Sequence, residues 1–393
     1  MLYRPEAFEP LTETPWDDER AREGIRGIVA DVDAAFDPDG LWPADEWDGW
    51  QSAVPMKNLY VGAAGVIWAL DALRRRGLAE TRIDLAEAAA RTLEAFRAAP
   101  DFMAGEIHPL PAESAFMTGE TGILVVAWRL TRSAELERDL LDRVRQNVDN
   151  SADELMWGTP GTLLAARRML EWTGDEHWRE ACRESAEALW GRRDADGYWT
   201  QDLYGVAARR LGPVHGLVGN VLVLLGCVDE DRRAALMTDT GRLAAETAVI
   251  EDGLANWPMR VGEDLLMDDG EIRVQWCAGA PGMVASTAEY VDIDLLTAGA
   301  ELPWQTGPPG MEKGPSICHG TSGNGYAFLK LFARTGDEEW LARARRFAMH
   351  ALEQVERRGH GRYSLWTGDP GVGLFAADCV EARSAYPVLE TWD

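Results

Sequence analysis

Cys318 and His319 stand side by side in the stretch ICHGTSGNGYAF, immediately ahead of two glycines three residues apart. Cys277 precedes another such glycine pair in WCAGAPG, and His215 precedes a third in VHGLVG. The 393-residue chain has only five cysteines and six histidines, so two of each at one kind of position is a concentration with chemical content. Two thiolates and an imidazole meeting at one point suit zinc in roughly tetrahedral geometry, and three protein ligands leave a position open for substrate. The spacing fits no zinc finger, and buried cysteines also serve as ordinary packing residues. What separates the two readings is the pattern that carries these residues.

That pattern is a repeat. Gly-x-x-Gly followed by an apolar run of helical length occurs seven times, as YVGAAGVIWAL (60–70), MTGETGILVVAWRL (117–130), MWGTPGTLLAARRML (156–170), VHGLVGNVLVLL (214–225), WCAGAPGMVAS (276–286), CHGTSGNGYAFLKLF (318–332) and WTGDPGVGLFAADC (366–379). Amphipathic stretches such as 84–99, 139–155, 177–193 and 338–358 alternate with them and carry no strand-like alternation. Each unit reads as a polar-faced helix, a loop and an apolar helix. Apolar helices must be shielded from water, so seven hairpins predict an all-α, α/α toroid with the apolar helices inside. The expected layout is one domain over 1–393, with a helical lead-in over 1–57 and seven repeats over 58–393. The first glycine of each phrase is expected to adopt positive φ in a tight turn, and the second to admit close backbone packing. All seven loops then open at one end of the ring, with inner-helix N-termini, whose dipoles favour anions, facing its centre.

In this register the pair before the first glycine becomes comparable between repeats. Repeats one, two, three and seven hold Tyr60 and Val61, Met117 and Thr118, Met156 and Trp157, and Trp366 and Thr367. Repeats four, five and six hold Val214 and His215, Cys277 and Ala278, and Cys318 and His319. Cys182, Cys227 and Cys379 fall inside helical stretches and read as small buried hydrophobes. The odd, scattered cysteines suggest reduced thiols in a cytosol. No signal peptide or membrane-spanning run is visible. The net charge of −27 argues against nucleic acid or anionic membranes as partners.

WCAGAPG, CHGTSGNGYAFL, VHGLVG and SLWTGDPGVGLFAADCV together resemble the LanC-like family, which comprises lanthipeptide cyclases and related proteins acting on glutathione. The resemblance runs from about Asn58 to the C-terminus. It implies an α/α toroid with zinc held by residues matching Cys277, Cys318 and His319, and a catalytic histidine matching His215. Glu154 matches an acidic residue that is commonly aspartate in cyclases, Arg273 matches an arginine four places before the first zinc cysteine, and Trp276 matches a tryptophan beside it. Ala278 departs from the aromatic or histidine often found after that cysteine. Lys313 and Arg4 stand where the glutathione-using branch contacts the tripeptide.

The implied reaction is addition of a thiol to dehydroalanine or dehydrobutyrine. His215 would supply the proton, Arg273 would stabilise the enolate or form a surface ion pair, Glu154 would orient His215 or bind the substrate backbone, Lys313 and Arg4 would lie against substrate, and Trp276 would lie against substrate or pack beside the metal. Ring closure within a dehydrated peptide or protein is the leading expectation, and glutathione addition is the alternative. A non-catalytic zinc- and peptide-binding module is a third class, and a toroidal sugar-processing enzyme would share only the architecture. No kinase-like or dehydratase-like stretch is visible, so a dehydrated substrate is expected from separate proteins.

Overall fold

In the computed structural model the described residues are 2–48, 54–102, 112–262 and 272–393. They form α1 (Asp18–Ala35), α2 (Ala63–Arg75), α3 (Leu85–Ala98), α4 (Glu120–Thr131), α5 (Ala134–Gln146), α6 (Thr159–Thr173), α7 (Glu176–Gly191), α8 (Leu217–Leu224), α9 (Glu230–Thr247), α10 (Ala280–Thr287), α11 (Ile293–Thr306), α12 (Thr321–Thr335), α13 (Glu338–Arg358) and α14 (Asp369–Glu381). The even-numbered helices start at the seven glycine phrases and are buried nearly all round; in α12, for instance, Thr321 to Leu329 are all buried. Each packs on the next, and α14 returns to α2, so the inner ring closes. Odd-numbered helices cover it, and α1, from the lead-in, lies against α14 and α13.

The two layers begin differently, and the sequence says why. Six of the seven outer helices, all but α7, open on side-chain caps: Asp17, Asp84, Ser133, Asp229, Asp292 and Asp337 accept first-turn N–H groups. Inner helices open on glycine with no side-chain cap. There the preceding loop folds back to accept those N–H groups: Thr321, Ser322 and Gly323 donate to the carbonyls of Gly314, Pro315 and Ser316, each at 3.1 Å. The inner-helix N-termini therefore face the mouth with these donors already satisfied, so the expected anion-favouring dipole is largely spent on the loop itself.

This wrapping also revises the role of the first glycine. Only Gly279 has positive φ (+117°); the others are extended at negative φ, for example −110° at Gly320. Both glycines are instead required by close approach. A Cβ on the second, such as Gly323 or Gly282, would collide with the carbonyl of Ile317 or Trp276 respectively.

The repeats are laced together at the mouth. Tyr60 N–H donates to Met117 O, Met117 N–H to Met156 O, Cys277 N–H to Cys318 O, Cys318 N–H to Trp366 O and Trp366 N–H to Tyr60 O. These are the residues two before the first glycine, so that position forms a backbone belt around the opening.

Two short hairpins depart from the all-helical reading: β1 (Gln201–Leu203) with β2 (Val206–Ala208), and β3 (Val249–Glu251) with β4 (Leu254–Asn256). Their turns are Tyr204-Gly205 and Asp252-Gly253, all four at positive φ, the two-residue geometry that matches strand twist. At three residues per strand they carry no readable alternation.

After α14 the chain turns inward. Tyr386 stacks on Trp276 (centroids 4.5 Å apart), and Trp392 meets Trp68 and Trp172. The tail thus fills the axis of the ring. Among the described residues no helix is long and apolar enough to cross a membrane.

Candidate active site

The belt brings Cys277 and Cys318 to adjacent places, and the next residue after Cys318 adds an imidazole. The ligand atoms of Cys277, Cys318 and His319 all lie within 4.8 Å of one another, with Cys318 Sγ 3.7 Å from His319 Nε2. Each sulfur has its own donor: Tyr60 O–H points to Cys318 Sγ at 3.1 Å, and Gln275 Nε2–H to Cys277 Sγ at 2.9 Å. Tyr60 occupies the same belt position in repeat one that the cysteines occupy in repeats five and six, which is the sequence signal that could have found it.

The electrostatics favour one thiolate even without a cation. A hydrogen bond from Cys318, helped by His319 and Arg273 and opposed by burial, holds Cys277 well below the ordinary thiol range. Burial, and then the neighbouring Cys277, push Cys318 well above it. The pair therefore shares a proton, with negative charge on Cys277. Two soft sulfurs and a nitrogen converging with hydrogen-bond donors behind them are a donor set that fits zinc and leaves a coordination position over.

His215 lies outside this cluster and is held by another carboxylate. Glu154 Oε2 is 2.6 Å from His215 Nδ1, and Glu154 is fully buried while the His215 side chain is about one-quarter exposed. Glu154 also accepts from the backbone N–H groups of Met156 (3.1 Å) and Trp157 (2.5 Å). In repeat one the equivalent residue, Asn58, makes the same two loop contacts, to Tyr60 and Val61. Glu154 is thus a loop-capping residue whose remaining capacity is turned on an imidazole.

Two asparagines in the histidine-bearing phrases fix the loops of the preceding repeats, those of Glu154 and Cys277. Asn220 Nδ2–H donates to Asp153 O at 2.8 Å and Asn324 Nδ2–H to Val274 O at 3.2 Å. Each follows the second glycine of its phrase, and among the seven phrases only VHGLVGN and CHGTSGN have asparagine there. These ties, with Leu155 N–H to Val214 O, bring the loop of one repeat onto the next.

The remaining expected residues divide. Arg273, Lys313 and Arg4 line one cavity of about 250 Å³ together with Gln275 and His319. Lys313 Nζ is 3.4 Å from Glu312, and both are exposed enough for the pair to be weak. Trp276, expected against substrate or packed beside the metal, is 1% exposed. It lies between Tyr386 and Trp366, 4.5 and 4.9 Å away by ring centroid, and supports the loop from beneath. Its neighbour Cys277 shares the turn closed by the Gln275–Ala278 bridge and gives its sulfur to the ligand cluster instead.

Several contacts had no signal in the motifs. Asp48, in the lead-in, is buried and accepts from Arg362, Ser364 and Thr367 of repeat seven. The preceding Trp47 meets the His319 ring edge-on at 5.3 Å. Tyr204 of the β1–β2 turn meets His215 at 6.3 Å and accepts from Trp157 Nε1–H at 3.0 Å.

Known proteins share this chain's sequence pattern and fold. Residues 54–387 match the family described as lanthionine synthetase C-like protein. Glutathione S-transferase LANCL1 of Danio rerio is 27% identical over 315 residues, 70% of this chain and 73% of that protein. LanC-like protein GCL1 of Arabidopsis thaliana is 28% identical over 195 residues, 46% of this chain and 43% of its own length. Nisin cyclase shares the fold, with a TM-score of 0.62 over 92% of this chain and 94% of that one at 15% identity.

Proposed function

Because the chain belongs to the lanthionine synthetase C-like family, we propose that it forms carbon–sulfur bonds, adding a thiol to the β-carbon of a dehydroalanine or dehydrobutyrine with zinc at Cys277, Cys318 and His319. The observation that carries this reading is the convergence of those three ligand atoms within 4.8 Å. Zinc bound there would hold an incoming thiol as thiolate at neutral pH.

The chain's own groups supply the rest. The thiol proton leaves to solvent, the sulfur lone pair makes the C–S bond, and the alkene electrons move toward the carbonyl oxygen. His215 returns a proton to the α-carbon, so atoms and charge balance without an oxidant or reductant. Glu154 at Nδ1 turns Nε2 toward the mouth and stabilises the protonated ring. Arg273 lines the cavity beside His319 and offers positive charge to the enolate oxygen. Tyr60 and Gln275, donating to the two sulfurs, damp the negative charge of the ligand set. Holding donor and acceptor together accounts for much of the acceleration.

Two sources of thiol fit: a cysteine of the same dehydrated peptide, giving a ring, or free glutathione. The cavity of about 250 Å³ with Arg4, Arg273 and Lys313 beside His319 favours the second, because glutathione brings two carboxylates. Zinc-loaded protein is incubated with a dehydroalanine peptide bearing one cysteine, with and without glutathione, while mass and free thiol are followed. Loss of thiol at constant mass reports ring closure, and gain of one glutathione mass reports transfer. No change in either quantity overturns the proposal in favour of a binding module.

A further inference from the structure

Among the described residues only two aromatic side chains are more than half exposed, Trp47 at 52% and Tyr204 at 53%. Each lies edge-on to one of the two histidines of the site: Trp47 to His319 at 5.3 Å and 72°, Tyr204 to His215 at 6.3 Å and 77°. A single exposed apolar side chain is ordinary, and Val54 and Ile250 are exposed further; what sets these two apart is that both are aromatic and each stands against a site histidine. That both instances flank the reaction centre calls for an explanation from substrate.

Neither ring is loose. The Arg362 guanidinium stands 5.1 Å from the Trp47 ring centroid. The following residue, Asp48, is anchored in the buried Arg362, Ser364 and Thr367 cluster, with Arg362 Nη2 2.6 Å from its Oδ1. Tyr204 is fixed by the indole N–H of Trp157 on its hydroxyl. It also sits at φ +55° in a turn where glycine or asparagine is the comfortable residue. Such an outlier persists where the side chain is used.

The positions around the ring give the direction. Trp47 is tied to repeat seven and touches repeat six, whereas Tyr204 bridges repeats three and four, so the rings stand on different sides of the mouth. The cavity of Arg4, Arg273, Lys313 and Glu312 has neither ring in its wall but adjoins Trp47 at His319, which lines it. A charged thiol donor in the cavity and an apolar acceptor between the rings would thus adjoin at His319.

We propose that Trp47 and Tyr204 are specificity-determining residues that grip the apolar side chains flanking a dehydroamino acid, making the acceptor a peptide segment with hydrophobic neighbours around the reactive residue. This rests on the reading of the site as a thiol-addition centre. Because the Tyr204 hydroxyl already accepts from Trp157, its own proton is available to a backbone carbonyl of that peptide. A tyrosine phenol, with an ordinary value of about 10, is protonated at working pH.

The test uses zinc-loaded full-length protein, saturating glutathione, and two five-residue acceptors with dehydroalanine at the centre, flanked by phenylalanine or by glycine. The wild type is expected to favour the phenylalanine-flanked peptide in kcat/KM by about 10-fold or more, the size of an added apolar contact. Trp47→Ala and Tyr204→Ala should collapse that ratio toward one, mainly through KM, whereas Tyr204→Phe keeps most of it. Zinc content and thermal unfolding report whether each variant is folded. A wild-type ratio near one, or variants that lose both acceptors equally, overturns the proposal. If the wild type turns over neither peptide, the functional reading fails. The clamp is then judged by calorimetric binding of the two peptides, where equal affinities overturn it and tighter binding of the phenylalanine-flanked one sustains it.

Discussion

Glu154 Oε2 and His215 Nδ1 are 2.6 Å apart although 61 residues separate them, and the same carboxylate caps its own loop through two backbone N–H groups. The pairing leaves His215 Nε2 as the ring atom available to a substrate. His215→Ala should lower turnover by about 10²- to 10⁴-fold, the usual range for a general acid, with zinc content unchanged. Glu154→Gln retains an oxygen for the loop and should cost less, roughly 10-fold. Glu154→Ala strands two buried N–H groups and should also destabilise the fold by about 1–3 kcal/mol for each. Parallel measurement of zinc stoichiometry and thioether formation checks this, and loss of zinc in His215→Ala would show that the imidazole is a ligand instead.

The sulfur contacts make a separate prediction about the metal. Cys318→Ala should abolish stoichiometric zinc binding. Tyr60→Phe and Gln275→Leu remove only the hydrogen bonds to Cys318 and Cys277, and should weaken zinc binding about 10- to 100-fold, as loss of a ligand's supporting partner generally does. Chelator competition reads the affinity directly. Wild-type affinity in both conservative variants would mean that the two donors are packing contacts and nothing more.

How far these relationships were legible varies with their origin. Cys277 and Cys318 could be aligned from sequence because the glycines mark the register, and the backbone belt through Tyr60, Cys277, Cys318 and Trp366 is that register in three dimensions. The same alignment contained Tyr60 and the two asparagines, but reading them required knowing that repeat seven closes on repeat one and that each loop leans on its neighbour. The glycine conformation was misjudged because positive φ and close approach both select glycine, and only the collision of a Cβ with the Ile317 or Trp276 carbonyl separates them. Trp276 sits next to a cysteine in the motif, but within the turn closed by Gln275 and Ala278 the two side chains part and the indole joins the aromatic stack. Trp47 and Tyr204 come from a strap and a three-residue hairpin, elements too short and irregular to carry a periodic signal.

The N-terminal strap offers a pH test. His350 is buried, accepts the Thr12 N–H on Nδ1 at 3.1 Å, and places Nε2 2.7 Å from Glu9. An Nδ1 that accepts is unprotonated, so the neutral ring is the form that holds the strap. Burial draws this histidine below its ordinary value; Glu9 and Glu353 oppose the shift and Arg357 assists it. Because the folded-state value is the lower one, the unfolded strap binds the proton more readily, and stability is lost as pH falls below about 6.5. Amide exchange at Thr12, corrected for its intrinsic rate, should therefore speed up between about pH 7 and pH 5. Unchanged protection across that range would place the ring's protonation outside the strap's stability.

The last prediction concerns the tail that fills the ring. Tyr386 stacks on Trp276 at 4.5 Å and its hydroxyl donates to Ile317 O, the carbonyl immediately before Cys318. It therefore touches both sulfur-bearing loops from beneath, one through an aromatic face and one through a hydrogen bond. Tyr386→Phe keeps the stack and should cost about 1 kcal/mol of stability, the net worth of one such bond. Tyr386→Ala opens a cavity under Trp276 and should cost about 3–5 kcal/mol. If the tail supports the metal loops as well as the core, Tyr386→Ala should also weaken zinc binding, and added zinc should restore part of the lost unfolding free energy. Denaturant unfolding with and without zinc separates the two effects. Equal losses in both conditions, with wild-type zinc affinity, would confine Tyr386 to packing.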